Sequence, residues 1–297
     1  GLTGNFAVCF FALLLGYYAA GSPERPLAGR LAKRYLQFAL GMLPPLLAAF
    51  GASWLLGLAG VTETNLAAYS AGYSPLSGLL QCLDDALFLQ YTLVPTYWCM
   101  GTFFLGSIAV MTMSALLAER PARVRLLWTL LVMTLCLLTG SWLLCICIGG
   151  YLLRQLQAPL NRLLAHGWAR LLAVALAVLI VRLPGYTLRC YMQGLAGALL
   201  FVALLNAPRA RRVFACKPLA KAGECSFYFY LWHAPVQVVF FALCWPPLYD
   251  LAREPGRWWI TGVAFVCTLA ITLGLSLLQG WAHKRLMARV FPGLNGR

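Results

Sequence analysis

Charge is scarce in this sequence, and acid scarcest. Of 297 residues 10% are charged, with 8 aspartates and glutamates against 23 lysines and arginines. A water-soluble globule of this length needs a polar surface that a chain 62% hydrophobic cannot supply, so the solvent must be lipid. There are only 3 histidines, and the 11 cysteines show no Cys-x-x-Cys or mixed Cys/His ligand spacing. No metal is therefore expected, and the cysteines read as small apolar packing residues. No long polar stretch marks off a soluble region, which leaves a single integral membrane domain over residues 1–297. The first apolar run has no basic segment before it, so it does not read as a secretory signal peptide.

What is present is a succession of apolar runs. A bilayer crossing needs about 20 apolar helical residues. On that ruler, segments near 4–20, 36–58, 96–118, 168–182, 188–206, 224–246 and 258–280 are expected to span. The stretch 126–153 is too long for one crossing and is interrupted by Thr139, Gly140 and Ser141, which predicts a tight hairpin of two short helices. The fold class expected is an all-α polytopic membrane bundle with nine spans.

The net charge of +15 would suggest nucleic acid in a soluble protein, but here the basic residues cluster in short loops between apolar runs. That pattern reports topology, and no nucleic-acid partner is expected. Of the 23 basic residues all but Arg182, Arg189, Arg253 and Arg257 fall on one side of the nine-span scheme, the expected cytoplasmic side, with the C-terminus. Glu63, Asp84 and Asp85 lie in a segment free of lysine and arginine, about 59–95, read as extracytoplasmic and as a partly ordered lid or re-entrant element. The scheme starts outside. Together with a first residue that is Gly1 and not Met, this leads to the expectation of one preceding helix.

Ionisable groups inside lipid cost about 2.5–3.5 kcal/mol on insertion scales, so a mid-span histidine is a functional candidate. His233 lies nine residues beyond Glu224, about 13 Å into the membrane. Ser226, Tyr230 and His233 recur at helical spacing as a polar stripe. Pro235 cannot donate to the carbonyl of Leu231, which predicts a kink beside the imidazole. The stripe serves either substrate contact and proton transfer or a structural bond to a neighbouring helix. His166 and His283 read as interfacial residues of basic loops. In the loop beginning Pro23-Glu24-Arg25, the residues Arg30, Lys33 and Arg34 share one helical side, fit for anionic lipid or for a phosphate-bearing donor. Arg182 and Arg189 flank Pro184-Gly185, where they either reach the interface or attract an anionic acceptor.

The run Gly223-Glu224-Cys225-Ser226-Phe227-Tyr228-Phe229-Tyr230-Leu231-Trp232-His233-Ala234-Pro235-Val236 resembles the G-x-x-S-Y-x-x-Y-L-x-H-x-P-V segment of the acyltransferase 3 family. Three further stretches fall in the family's order. Phe10-Phe11 to Gly16-Tyr17 resembles its FFxxSGY helix, and Arg34 begins a match to its R-x-x-R segment with Gln37 in place of the second arginine. Pro95 to Ser107, through Trp98, resembles its P-x-W-x-x-x-x-E-F-x-G-S helix with Phe103 where the glutamate stands. The resemblance implies transfer of an acetyl or short acyl group from cytoplasmic acetyl-CoA, or another acyl-CoA, to a cell-envelope carbohydrate at the plasma (inner) membrane. It implies that Arg30, Lys33 and Arg34 face the donor's phosphates, and that Trp98, Ser226, Tyr230 and His233 line the path to the acceptor. It also implies that the family's main catalytic histidine belongs to a helix before the FFxxSGY segment. A transporter or flippase on the same frame, and a non-catalytic scaffold, are the alternatives.

Overall fold

Apolar segments in lipid must satisfy their backbone groups internally, and helices do so. The computed structural model describes residues 2–21, 26–60, 70, 72–182, 187–253, 257 and 259–291, and among them there is no strand. Pro23–Arg25, Glu63, Pro184–Gly185 and the side chains of Arg189 and Arg253 lie outside this description. The helices are α1 (Leu2–Ala19), α2 (Leu27–Leu58), α3 (Pro75–Phe88), α4 (Met100–Leu116), α5 (Ala122–Leu138) and α6 (Trp142–Gln155). They continue with α7 (Gln157–Leu163), α8 (Gly167–Val181), α9 (Thr187–Leu205), α10 (Pro208–Phe214), α11 (Lys217–Arg253) and α12 (Trp259–Val290). A 3₁₀ turn, Pro95–Tyr97, precedes α4.

Among the described residues, each segment expected to span is largely helical. By length and composition, Leu27–Leu58, Pro95–Leu116, Lys217–Cys244 and Trp259–Val290 suffice as crossings. That makes four spans, or up to six if the bent pairs α6/α7 (71°) and α9/α10 (95°) each count as one. The others are short: 14 residues of α6 give about 21 Å, against a hydrocarbon core of about 30 Å.

The helices group into two compact units, Gly1–Arg34 with Thr102–Ala220 and Tyr35–Gly101 with Lys221–Arg297. In the first, α5 and α6 form the expected hairpin around Thr139–Ser141. Gly140 (φ 69°) adopts the left-handed conformation there. The amides of Ser141 and Gly140 close onto the carbonyls of Cys136 (2.9 Å) and Leu137 (3.2 Å), which ends α5 cleanly. Gln155 Nε2 donates to Thr129 Oγ1 (2.7 Å) across the pair. Helix α1 packs on α6 so closely that a Cβ on Gly16 would sit 1.7 Å from the Cys147 carbonyl oxygen, and one on Gly150 would sit 2.1 Å from that of Leu13.

In the second unit, α3 begins with a reciprocal cap between Ser74 and Ser77. It buries Gly78, Cys82, Asp85 and Ala86 and exposes leucines 76, 79, 80, 83 and 87. The segment read as a lid or re-entrant element thus contains an ordered helix. Helix α12 buries Ala264, Thr268, Thr272, Ser276, Gln279, His283 and Met287 along one face. The hydroxyls of Thr272 and Ser276 are satisfied by the carbonyls one turn back (2.7 and 2.6 Å).

This last face corrects the reading of His283 as an interfacial loop residue. The helix runs ten residues beyond Gly280, and the three- and four-residue spacing from Ser276 through Gln279 to His283 carries the imidazole onto the buried face, 5.7 Å from the Tyr228 ring.

Candidate functional site

The site begins with a proline. Pro235 lies inside α11, which stays helical from Lys217 to Arg253, and it has no N–H for the carbonyl of Leu231. A freed carbonyl in lipid must find another donor. The donor is Tyr97, a wholly buried side chain on the 3₁₀ turn, whose hydroxyl bonds to Leu231 O. The return contact runs from the Tyr230 hydroxyl to the carbonyl of Thr96. That hydroxyl's single hydrogen is then committed, so the Cys99 thiol, 3.1 Å away, donates to it. Two tyrosines thereby clasp the 3₁₀ turn to the middle of α11.

His233 hangs on this clasp. Its Nδ1 bonds to the carbonyl of Tyr230, and the two rings lie 5.2 Å apart. A carbonyl only accepts, so Nδ1 carries the hydrogen and the neutral ring's lone pair is on Nε2. Next to it, Trp232 Nε1 donates to Gln279 Oε1 (2.6 Å), and Gln279 Nε2 donates to the carbonyl of Gly41 (2.7 Å). This chain of bonds ties α11 to α12 and α2 within the second unit.

The turn itself is held by Asp85. This fully buried carboxylate accepts from the Leu93 amide (2.8 Å) and from Gln81 Nε2 (2.9 Å), fixing the segment that leads into Pro95. Leu89, at φ 54°, turns the chain back toward it. The expected path residues fare differently. Tyr230 and His233 come together, whereas Ser226 is exposed and its hydroxyl returns to its own helix at Gly223 O (2.8 Å). Trp98 is exposed while its neighbour Tyr97 is buried. Tyr97 had one sequence signal, the donorless carbonyl that Pro235 creates. Asp85 had none beyond being an acid in a leucine-rich helix.

The basic residues form a separate cluster in the first unit. Arg30 Nη2 donates to the carbonyls of Ala19 and Ala20 (3.2 Å each), at the end of α1. Its Nη1 is buried with no hydrogen-bond partner among the described residues. Arg34 Nε donates to Ser107 Oγ (3.2 Å), which passes its hydrogen to Phe103 O (2.9 Å). Lys33, between them, is partly buried. Phe103 is buried against Phe11, with ring centres 5.2 Å apart. The position where the resemblance leads one to expect glutamate therefore serves packing here.

Apolar helices whose freed backbone groups are met by neighbouring side chains, with an imidazole held at mid-helix, define an α-helical integral membrane protein with a buried polar site. The acyltransferase 3 family model, described as an acyltransferase domain, matches residues 2–278, so the chain belongs to that family and to the membrane acyltransferases as a class. The match does not favour a transporter or flippase. No curated protein and no solved structure matches the chain.

Proposed function

We propose that the protein transfers an acetyl or other short acyl group from acyl-CoA to a hydroxyl of a cell-envelope carbohydrate. In this reading residues 1–297 act as one domain of the plasma (inner) membrane, with nine spans and the C-terminus cytoplasmic. Arg30, Lys33 and Arg34 hold the donor's phosphates. The fit rests on the buried Nη1 of Arg30, a guanidinium donor that lacks an acceptor among the described residues; unmet buried donors are costly, and phosphate oxygens are strong acceptors. Tyr230, His233 and Trp98 line the acceptor's path. His233 contributes its Nε2 lone pair to the acceptor hydroxyl, and Ser226, two turns toward the basic end of α11, borders the entrance.

The observation that carries this reading is the bond between His233 Nδ1 and the Tyr230 carbonyl, beside the clasped Tyr230 side chain. A lone pair held at one atom can orient a hydroxyl and take its proton as the oxygen bonds to the thioester carbonyl carbon; the acyl C–S bond breaks, and coenzyme A leaves as a thiol that takes up that proton. The test follows labelled acetyl from acetyl-CoA into envelope polymer in proteoliposomes. His233→Ala is expected to lower transfer by about a hundredfold, mostly through kcat, since the lone pair acts on the hydroxyl as it attacks. Arg30→Gln is expected to raise KM for acetyl-CoA and leave the acceptor's unchanged. Full transfer by His233→Ala overturns the role of that residue, and labelling from a donor without phosphates overturns the role of Arg30.

A further inference from the structure

At one end of the first unit an apolar groove and a cationic pocket adjoin each other. The groove, about 370 Å³, is lined by Leu160, Leu164, Trp168, Leu172, Leu199 and Val202 among other apolar residues. Its floor is closely packed, since Leu164, Ala169, Ala173 and Val202 are buried in one cluster. Measured along α8 from Ala169 to Leu176, both lining residues, it extends about 10 Å, the depth of the upper part of one acyl chain. One turn beyond Val202 on α9, Asn206 lines a second cavity with Arg211 and Arg212. Arg170 of α8 reaches the same asparagine, its Nη1 donating to the Asn206 carbonyl (2.6 Å).

The chain geometry explains why the two halves meet. Helix α10 turns off α9 by 95°, so when α9 stands in the bilayer α10 lies along its surface. In seven residues α10 carries three arginines and exposes Val213 and Phe214, the composition of an interfacial basic helix. Trp168, also exposed at the groove's mouth, is the residue type that favours the headgroup level.

We propose that this face binds one anionic glycerophospholipid, its phosphate against Arg211 and Arg212 and one acyl chain in the α8–α9 groove. Charge complementarity selects the occupant: the residues lining the groove are apolar, and those lining the adjoining pocket include two arginines and no acid. A basic residue near an anionic headgroup contributes enough to select it from zwitterionic lipid.

Native mass spectrometry of the detergent-solubilised protein offered equal phosphatidylglycerol and phosphatidylcholine of matched chains tests this. About tenfold preferential retention of phosphatidylglycerol is expected. Arg211→Gln with Arg212→Gln should abolish the preference while thermal stability holds, and Ala198→Phe, which fills the groove, should lower retention of both lipids. If Ala198→Phe fails to fold, glycerophosphoglycerol, which lacks chains, replaces it as the probe and is expected not to compete. Equal retention of the two lipids overturns the site, as does a preference that survives loss of both arginines. Competition by the chainless headgroup reduces it to a free phosphate site, and displacement of the lipid by palmitoyl-CoA at lower concentration transfers it to an acyl donor; either overturns the proposal.

Discussion

The main seam of each unit holds together by different physics. In the first, α1 and α6 approach until glycine is the only residue that fits, and the contact is van der Waals packing between backbones. In the second, the crossings carry polar bonds: Tyr97 to Leu231, Tyr230 to Thr96, and Trp232 through Gln279 to Gly41. Lipid offers no hydrophobic drive between helices, so small residues and buried hydrogen bonds are the two means available. The first unit also bonds across helices, through Gln155 to Thr129 and Arg34 to Ser107, but the bonds of the second gather around the histidine segment. Bonds fix orientation as well as distance, which a reacting group needs and a structural seam does not.

The largest effect should come from the close seam. Gly16→Ala places a methyl 1.7 Å from a carbonyl oxygen on the neighbouring helix, and only movement of backbone can relieve it. No folded protein is expected, measured as loss of the monodisperse peak in size-exclusion chromatography. Gly51→Ala in α2 meets nothing within 4 Å and should be neutral or stabilising by up to about 1 kcal/mol. Equal tolerance of the two would show that α1 and α6 do not approach as closely as described.

Second in size is the clasp. Hydrogen bonds between membrane helices average only about 0.6 kcal/mol, because either partner usually has somewhere else to bond. Leu231 O is different, since Pro235 denies it the donor of its own helix. Tyr97→Phe should therefore cost about 1–3 kcal/mol in thermal or denaturant unfolding and impair acyl transfer. Pro235→Ala gives Leu231 O an N–H again, so Tyr97→Phe should cost less in that background. Additive effects of the two substitutions would show that Tyr97 does not serve the proline.

Much of this frame is legible in the sequence for a physical reason: in lipid an apolar run must be a helix, so the apolar segments read directly as helices, as does the turn at Thr139–Ser141, although by length and composition only four to six of them suffice as crossings. Which face of a helix is buried is harder to read. Outside and inside are both apolar, and the buried face of α12 is distinguished only by small and polar residues at spacings of three and four from Ala264 to His283. His283 was misplaced for that reason, its basic neighbours Lys284 and Arg285 suggesting a loop. Of the candidate site, His233 and Tyr230 were legible as polar residues in an apolar span. Asp85, Gln279 and Cys99 were not, because their roles depend on backbone groups brought from distant positions.

The smallest expected effect is one of labelling and compares one cysteine from each unit. Cys216, between α10 and α11, is exposed, whereas Cys82 on α3 is wholly buried. Burial, and then nearby Asp85, pushes the Cys82 thiol up to about 11. The thiolate is the form that alkylates, so near neutral pH Cys82 should be inert on two counts, access and ionisation, and should gain reactivity only as pH nears that value. Cys267 is also exposed, but it lies within the apolar crossing α12, where lipid keeps a polar reagent out. A polar maleimide should therefore label the protein at Cys216, with Cys216→Ser abolishing the signal; under the proposed orientation Cys216 should stay unlabelled in intact cells until the membrane is permeabilised. Asp85→Ala removes the acceptor that holds Leu93 and Gln81, and so should open α3 and expose Cys82 to the reagent. Labelling of Cys82 in the unaltered protein near neutral pH would mean that α3 is not held as described, and the comparison between a packed unit and a hydrogen-bonded one would lose its second term.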